Sequence, residues 1–174
     1  MRYVGIDPST KTGIAILDKH GNLIDALEVT ATGKDPGRMA EIIQETYANV
    51  ELNDIVAVEG FGYASQSGFL LGGIGWGIRI ELYESGIDYI DVAPASLKKF
   101  VTGKGTADKD QLAVEIYKRW GFEHKSDNVR DAYVLAQIAR AYHGLVDMTK
   151  FQREVIEVLK NPPQKKGGRK RVSA

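Results

Sequence analysis

Residues 3–17 read YVGIDPSTKTGIAIL: two apolar runs joined by a tight polar turn, with one acid, Asp7, at the seam. Residues 2–7 and 13–18 are therefore expected to be neighbouring antiparallel strands. The hairpin signal KHGN at 19–22 leads into a third strand over 23–29. A chain that opens on such a meander has built part of a sheet before its first helix, and the elements after residue 29 decide the fold class. Residues 36–50 begin at Pro36 and carry Met39, Ile42, Ile43 and Tyr47 at helical spacing. DIVAVEG, at 54–60, is short and almost wholly apolar, the pattern of a strand buried on both faces of a parallel sheet. A Gly-rich segment then runs into a helix near 72–85, and a strand follows at 88–93. Helices are expected at 94–100, 108–120, 128–143 and 149–160, with Gly103, Gly105 and Thr106 marking a loop. The order predicts an α/β fold. Its mixed five-stranded sheet has three antiparallel strands and then parallel ones, flanked by helices. Strand one is expected at the centre, beside residues 54–59. The C-terminal ends of those two strands should be neighbours, where ligands of open α/β sheets gather.

Composition narrows the function. A chain of 174 residues suits one domain, and a 43% apolar fraction suits a packed core. No apolar run approaches the ~20 residues of a membrane helix, and the chain starts directly on a strand, so no signal peptide is expected. There is no cysteine, which excludes disulfides, thiolate zinc sites and a cysteine nucleophile. A cytoplasmic location fits. The 23 Lys and Arg balance the 23 Asp and Glu, but unevenly: QKKGGRKRVSA at 164–174 holds Lys165, Lys166, Arg169, Lys170 and Arg171 and no acid. A basic, flexible tail over 161–174 is thus expected on an acidic domain spanning 1–160. It suits a polyanion partner or a solubilising terminus.

The acids are placed to act together. Asp7 ends strand one, and Glu59 ends the buried strand. In SDNVRDAYVLAQIARAY (126–142), Asp127 and Asp131 lie four apart at a helix start, hence on one face. Ala132, Leu135, Ala136 and Ala139 let that helix pack closely on the sheet, which brings Asp131 towards Asp7 and Glu59. Each acid also has a structural role open to it: a turn at Asp7, a surface position at Glu59, an N-cap at Asp127 and a dipole partner at Asp131. Together, converging carboxylates repel and call for a counter-charge. A hard divalent cation answers it, since Mg²⁺ takes oxygen ligands with few protein donors. Two such ions ~3.5–4 Å apart activate a water and stabilise a leaving oxygen at a phosphodiester. His20, His124 and His143 show no metal spacing, and GxxxxGK[ST] is absent.

GIDPSTKTGIAIL, AVEGF, APASLKKFVTGKGTADKDQL and DNVRDAYVLAQIA, in this order across residues 2–143, resemble the RuvC-type Holliday-junction resolvases, the family's phage-type members included. The resemblance implies an RNase H-like fold and a structure-specific endodeoxyribonuclease of DNA recombination and repair. It implies two Mg²⁺ ions, with Mn²⁺ able to substitute, and products bearing 5′-phosphate and 3′-hydroxyl ends. Asp7, Glu59 and Asp131 match the family's acids. Its remaining acid lies where this chain has Asn128, one position after Asp127, so the fourth ligand is Asp127 or Asn128. Lys98 and Lys109 match basic residues of the family's DNA groove, Lys109 as a phosphate-stabilising catalytic group. Lys104 in its loop is a further phosphate contact. Phe61, Tyr63 and Phe69 either stack on splayed bases or pack in the core. Gly72, Gly73, Gly75 and Gly77 suggest close approach to another backbone, and the resemblance implies a homodimer nearby.

The expected partner is branched DNA, with no membrane and no nucleotide cofactor. Three other readings stay open at this point. One is a nuclease of flaps or single strands, one a junction-binding module that does not cut. The third is an actin-like ATPase, which shares the strand–Asp–turn–strand opening but needs two related domains.

Overall fold

The computed structural model describes residues 1–61, 68–144 and 146–162. The elements run β1 (Tyr3–Asp7), β2 (Thr12–Leu17), β3 (Leu23–Val29), α1 (Gly37–Tyr47), β4 (Ile55–Glu59), α2 (Gly68–Glu84), β5 (Tyr89–Val92), α3 (Pro94–Thr102), α4 (Lys109–Trp120), α5 (Asp127–Tyr142) and α6 (Lys150–Lys160). Every expected element is present. The largest shift is at α2, which begins at Gly68 rather than near 72. β2 stops at Leu17 because the Asp18 carboxylate accepts hydrogen bonds from the His20 and Asn22 amides, each 2.8 Å, and folds the hairpin turn.

The sheet order is β3-β2-β1-β4-β5. β1 is central, antiparallel to β2 and parallel to β4, which is parallel to β5. Both faces are covered, so β1 and β2 are buried along their whole length. Strand side chains alternate between faces. Val4, Ile6, Ile14, Ile16, Val56 and Val58 pack beneath α1 and α2 with Ile42, Ile74, Ile78 and Leu82. Tyr3, Ala15, Leu17 and Ala57 face the opposite layer, with Leu135 and Ala136 of α5, Leu97 of α3 and Ile116 of α4. The same parity carries Asp7 and Glu59 to the α5 side, at the end where β1 and β4 both finish.

α5 touches the sheet backbone to backbone. A Cβ on Gly5 would lie 1.9 Å from the Ala132 carbonyl oxygen, and one on Gly13 2.1 Å from that of Asn128. Only glycine permits this approach, and it lowers the N-terminal turns of α5 onto the ends of β1 and β4. The glycines of α2 have another cause than the backbone approach expected from the sequence. A Cβ on Gly73, Gly75 or Gly77 would strike the side chains of Met39, Phe61 and Ile43 respectively, so those glycines are sockets for side chains. No helix of the described residues is long and apolar enough to cross a membrane.

Gly5→Ala should therefore destabilise the fold by about 3 kcal/mol or more, since neither backbone can yield. Thermal unfolding should show a drop on the order of 10 °C. Gly72→Ala, with nothing within 4 Å of the new Cβ, should be neutral or gain up to ~1 kcal/mol from helix propensity.

Candidate active site

Asp7 is 6% exposed at the last residue of β1. The turn beyond it is built by other groups. The Ser9 amide donates to Thr12 Oγ1 (3.2 Å), Thr12 Oγ1 donates back to the Ser9 carbonyl (2.7 Å), and the Lys11 amide donates to Ser9 Oγ (2.9 Å). Asn128 Nδ2 reaches across from α5 to Ser9 Oγ (3.1 Å) and the Lys11 carbonyl (2.7 Å). The Asn128 amide therefore holds the turn. Asp7 is left free of turn duty and lies beside the Glu59 carboxyl.

The electrostatics follow from burial and like charge. Burial, then the Glu59 carboxyl, then Asp131 push the Asp7 carboxyl well above the usual range. Burial raises Glu59 too, while its contact with Asp7 and the nearby Lys98 ammonium pull it back. Both carboxyls are thus harder to ionise than free ones, Asp7 the more so because burial and its acidic neighbours act in the same direction. Asp131, half-buried on the second turn of α5, rises from 3.8 to about 7, first through burial and then through the charges of Glu59 and Asp127. Among the described residues no three His, Asp or Glu side chains already stand as a cation cage. The acids are gathered, but they face one another.

The rim is cationic. Asp127 is the first residue of α5, and Ser126 takes the cap position instead. Its carboxylate accepts from Lys109 Nζ (2.7 Å) and from Arg130, and the Lys109 bond holds it below the usual carboxylate range. Asp127 is therefore turned away from the Asp7–Glu59 pair and into an ion triad. Lys109 opens α4, where Asp108 caps the helix by accepting from the Gln111 amide (2.9 Å). Lys98 on α3 faces Glu59, while Lys104 is exposed in the loop between α3 and α4. Phe61 stacks on Trp76 at 5.5 Å between centroids and lies under Arg79, so it is packed against α2. His124 Nδ1 accepts from the Ser126 amide (3.1 Å), a loop-shaping role. Tyr63, the Phe69 side chain and the tail cations Lys165, Lys166, Arg169, Lys170 and Arg171 lie outside the described residues.

The model of the family described as crossover junction endodeoxyribonuclease RuvC matches residues 3–139, from the start of β1 into α5. The chain belongs to the RuvC family. RuvC of Campylobacter hominis is 30% identical over 148 residues, which are 78% of this chain and 93% of the relative. RuvC of Campylobacter concisus is 31% identical over 147 residues, 78% of this chain and 94% of the relative. The structure of Thermus thermophilus RuvC superimposes with a TM-score of 0.63 at 21% identity, covering 86% of this chain and 100% of that one. A structure of T. thermophilus RuvC in complex with Holliday junction substrate gives a TM-score of 0.61 at 22% identity, covering 78% and 90%. These structural likenesses carry the fold. The family description names an endodeoxyribonuclease of crossover junctions, and in this chain the ends of β1 and β4 carry Asp7 and Glu59 to one edge of the sheet.

Two groups at the site escaped the sequence reading. Arg130 joins the rim from one helical turn beyond Asp127, a spacing that marks the pair. Arg79 donates to the Glu59 carbonyl from α2, and its signal was being the lone cation of an apolar helix.

Asp131 sets a testable sign. Its folded carboxyl is raised, so its contribution to stability is fully present below about pH 4 and is lost as pH rises through about 7. In chelator at pH 8, Asp131→Asn should melt at least about 2–4 °C above the parent, the shift of ~1 kcal/mol in a domain of this size. The difference should close by pH 4 in a calorimetric series.

Proposed function

We propose that this chain is a divalent-metal-dependent endonuclease that cuts phosphodiester bonds in branched DNA, four-way junctions first. The observation that carries the reading is the meeting of Asp7, Glu59 and Asp131 at one sheet edge, with the Lys98 and Lys109 cations beside them. The donor set fits a hard cation: all oxygen, largely buried, and so short of counter-charge that all three carboxyls are raised. Asp7, Glu59 and Asp131 are the proposed ligands of two Mg²⁺ ions, with Mn²⁺ able to replace them. Bound there, such ions supply Lewis-acid activation of water and of the scissile phosphate.

The chain's own groups do the rest. Asp7, Glu59 and Asp131, whose ionised forms burial disfavours, would all be favoured as carboxylates by a bound cation. Asp127 is the proposed fourth ligand. Its turning inward exchanges the ion pairs with Lys109 and Arg130 and leaves both cations for the DNA. Lys109 then offers positive charge to the phosphate as negative charge builds on it. Lys98 and Lys104 extend the contact along the strand. The domain over 1–160 carries this chemistry, and the basic residues of 161–174 add salt-sensitive, sequence-independent attraction.

The test is cleavage of labelled four-way junction, flap and linear duplex, with Mg²⁺ and with chelator. Paired nicks in the junction, only with metal, are expected. Cutting of flaps or single strands as well would widen the substrate, and tight junction binding with no cutting would overturn the reading. Asp7→Asn should lower cleavage by at least about 10³-fold while the junction Kd stays within about threefold, because ligand and binding surfaces differ. Retained cleavage would remove Asp7 from the chemistry.

We further propose that the active form is a homodimer formed through α2. Trp76, Ile80 and Tyr83 are 57%, 50% and 80% exposed at helical spacing, an apolar stripe along one face of α2. Cutting two strands symmetrically needs two sites. Trp76→Glu should shift sedimentation from dimer to monomer and convert paired cuts into single nicks. A variant that remains dimeric would place the seam elsewhere.

A further inference from the structure

Helix α2 is apolar or glycine over most of its length and carries a single cation, Arg79. That cation is 2% exposed. Taking a guanidinium out of water is expensive unless its donors find partners, and here four of its five N–H groups do, in three directions. Nη1 donates to the Gly75 carbonyl at 2.9 Å, within α2. Nε donates to Asp91 Oδ1 on β5 at 3.1 Å, joined there by Nη2. Nη2 also donates to the carbonyl of Glu59 at 2.9 Å. The rings of Phe61 and Tyr89 lie 4.7 and 5.6 Å from the guanidinium carbon.

The Glu59 bond needs a reason beyond packing. Pairing of β1 with β4 ends at Ile6 and Val58, and the chain leaving β1 passes into Pro8, which has no N–H to offer. On the other side the Gly60 amide donates to the Val92 carbonyl at 2.8 Å, so the ladder to β5 continues past Glu59 without using its carbonyl. The Glu59 oxygen sits where the sheet runs out of donors, and Arg79 meets it. Fixing that oxygen fixes the peptide plane after Glu59 and hence the direction in which the residue projects its side chain. The Asp91 carboxylate is 57% exposed, so the ion pair alone gives little stability. A clamp between α2 and β5 would need only that pair, and the third arm points to the acids.

We infer that Arg79 is a positioning residue for the metal site: through the Glu59 backbone it aims the Glu59 carboxyl at Asp7. It touches neither DNA nor cation. The inference rests on the reading of Glu59 as a ligand of a divalent cation. Groups that orient a ligand typically contribute 10–100-fold to metal affinity or activity. A lysine cannot replace the fork, because one ammonium does not span three acceptors set around a planar guanidinium.

The experiment titrates Mn²⁺ into the full chain by calorimetry, without DNA, for the parent, Arg79→Lys and Asp91→Asn. Melting temperature and junction Kd in Ca²⁺ are measured alongside. Arg79→Lys should bind Mn²⁺ about tenfold or more weakly and cut junctions with a kcat lowered about as much, while its junction Kd stays within twofold. Arg79→Lys with parental Mn²⁺ affinity and kcat would overturn the inference, whatever its melting temperature. Should Arg79→Lys fail to fold, Asp91→Asn decides: weaker Mn²⁺ binding at an unchanged melting temperature supports the role, and parental binding overturns it. A parent that binds Mn²⁺ yet cuts no DNA defeats the nuclease reading alone, and Arg79 is then judged on Mn²⁺ affinity. A parent that binds no Mn²⁺ overturns both.

Discussion

The structure depends on one contact, the seating of α5 against bare sheet backbone at Gly5 and Gly13. A helix normally stands off a sheet by the thickness of two side-chain layers. Here the layer is missing along one line, and the first turns of α5 descend onto the ends of β1 and β4. Asp131 is thereby buried beside two carboxyls carried by the sheet, and the Asn128 amide comes within reach of the turn after β1. Packing of small residues creates the crowding of charge, and the crowding creates the demand for a cation.

That demand is visible without any ion. Burial raises the Asp7 and Glu59 carboxyls, Asp7 further through its acidic neighbours, and burial with the charges of Glu59 and Asp127 raises Asp131 to about 7. Asp127, a turn earlier, is paired with two basic side chains. The same helix start thus carries one acid that remains neutral for want of a partner and one that remains charged because it has two. A divalent ion would reverse the first condition directly and the second by exchange.

Most of the fold was legible because its signals are local and periodic. The hairpin turn, the apolar DIVAVEG run and the helix patterns each name an element, and their order places β1 beside β4. The three acids were legible for the same reason: two end strands, and one sits on a helix rich in alanine. What was not legible depends on which atoms meet across the chain. The glycines of α2 look alike in sequence, yet three are sockets for Met39, Phe61 and Ile43 and Gly72 faces open space. Asn128 looked like a stand-in for an acid, and its amide holds a turn more than a hundred residues away in sequence. Asp127 looked like one of two candidates for the fourth ligand, with Asn128, and a lysine from α4 and Arg130 hold its carboxylate in ion pairs instead. Such pairings are settled by tertiary geometry, which no spacing rule encodes.

The alternation of strand side chains bears on which changes of length the chain tolerates. Asp7 and Glu59 reach α5 because each lies an even number of residues from strand neighbours buried on that face, Tyr3 and Ala57. One residue inserted within β4 would turn Glu59 to the α1 and α2 layer and leave a carboxyl among Ile42, Ile74 and Ile78. Two inserted residues would restore the face but slide the carboxyl about 6.6 Å along the strand, beyond reach of Asp7. Neither odd nor even changes in strand length can keep the acids together. Variation in chain length is therefore confined to segments outside β1 and β4, such as the hairpin between β2 and β3, and the two strands must keep their lengths even where most of their sequence is free to change.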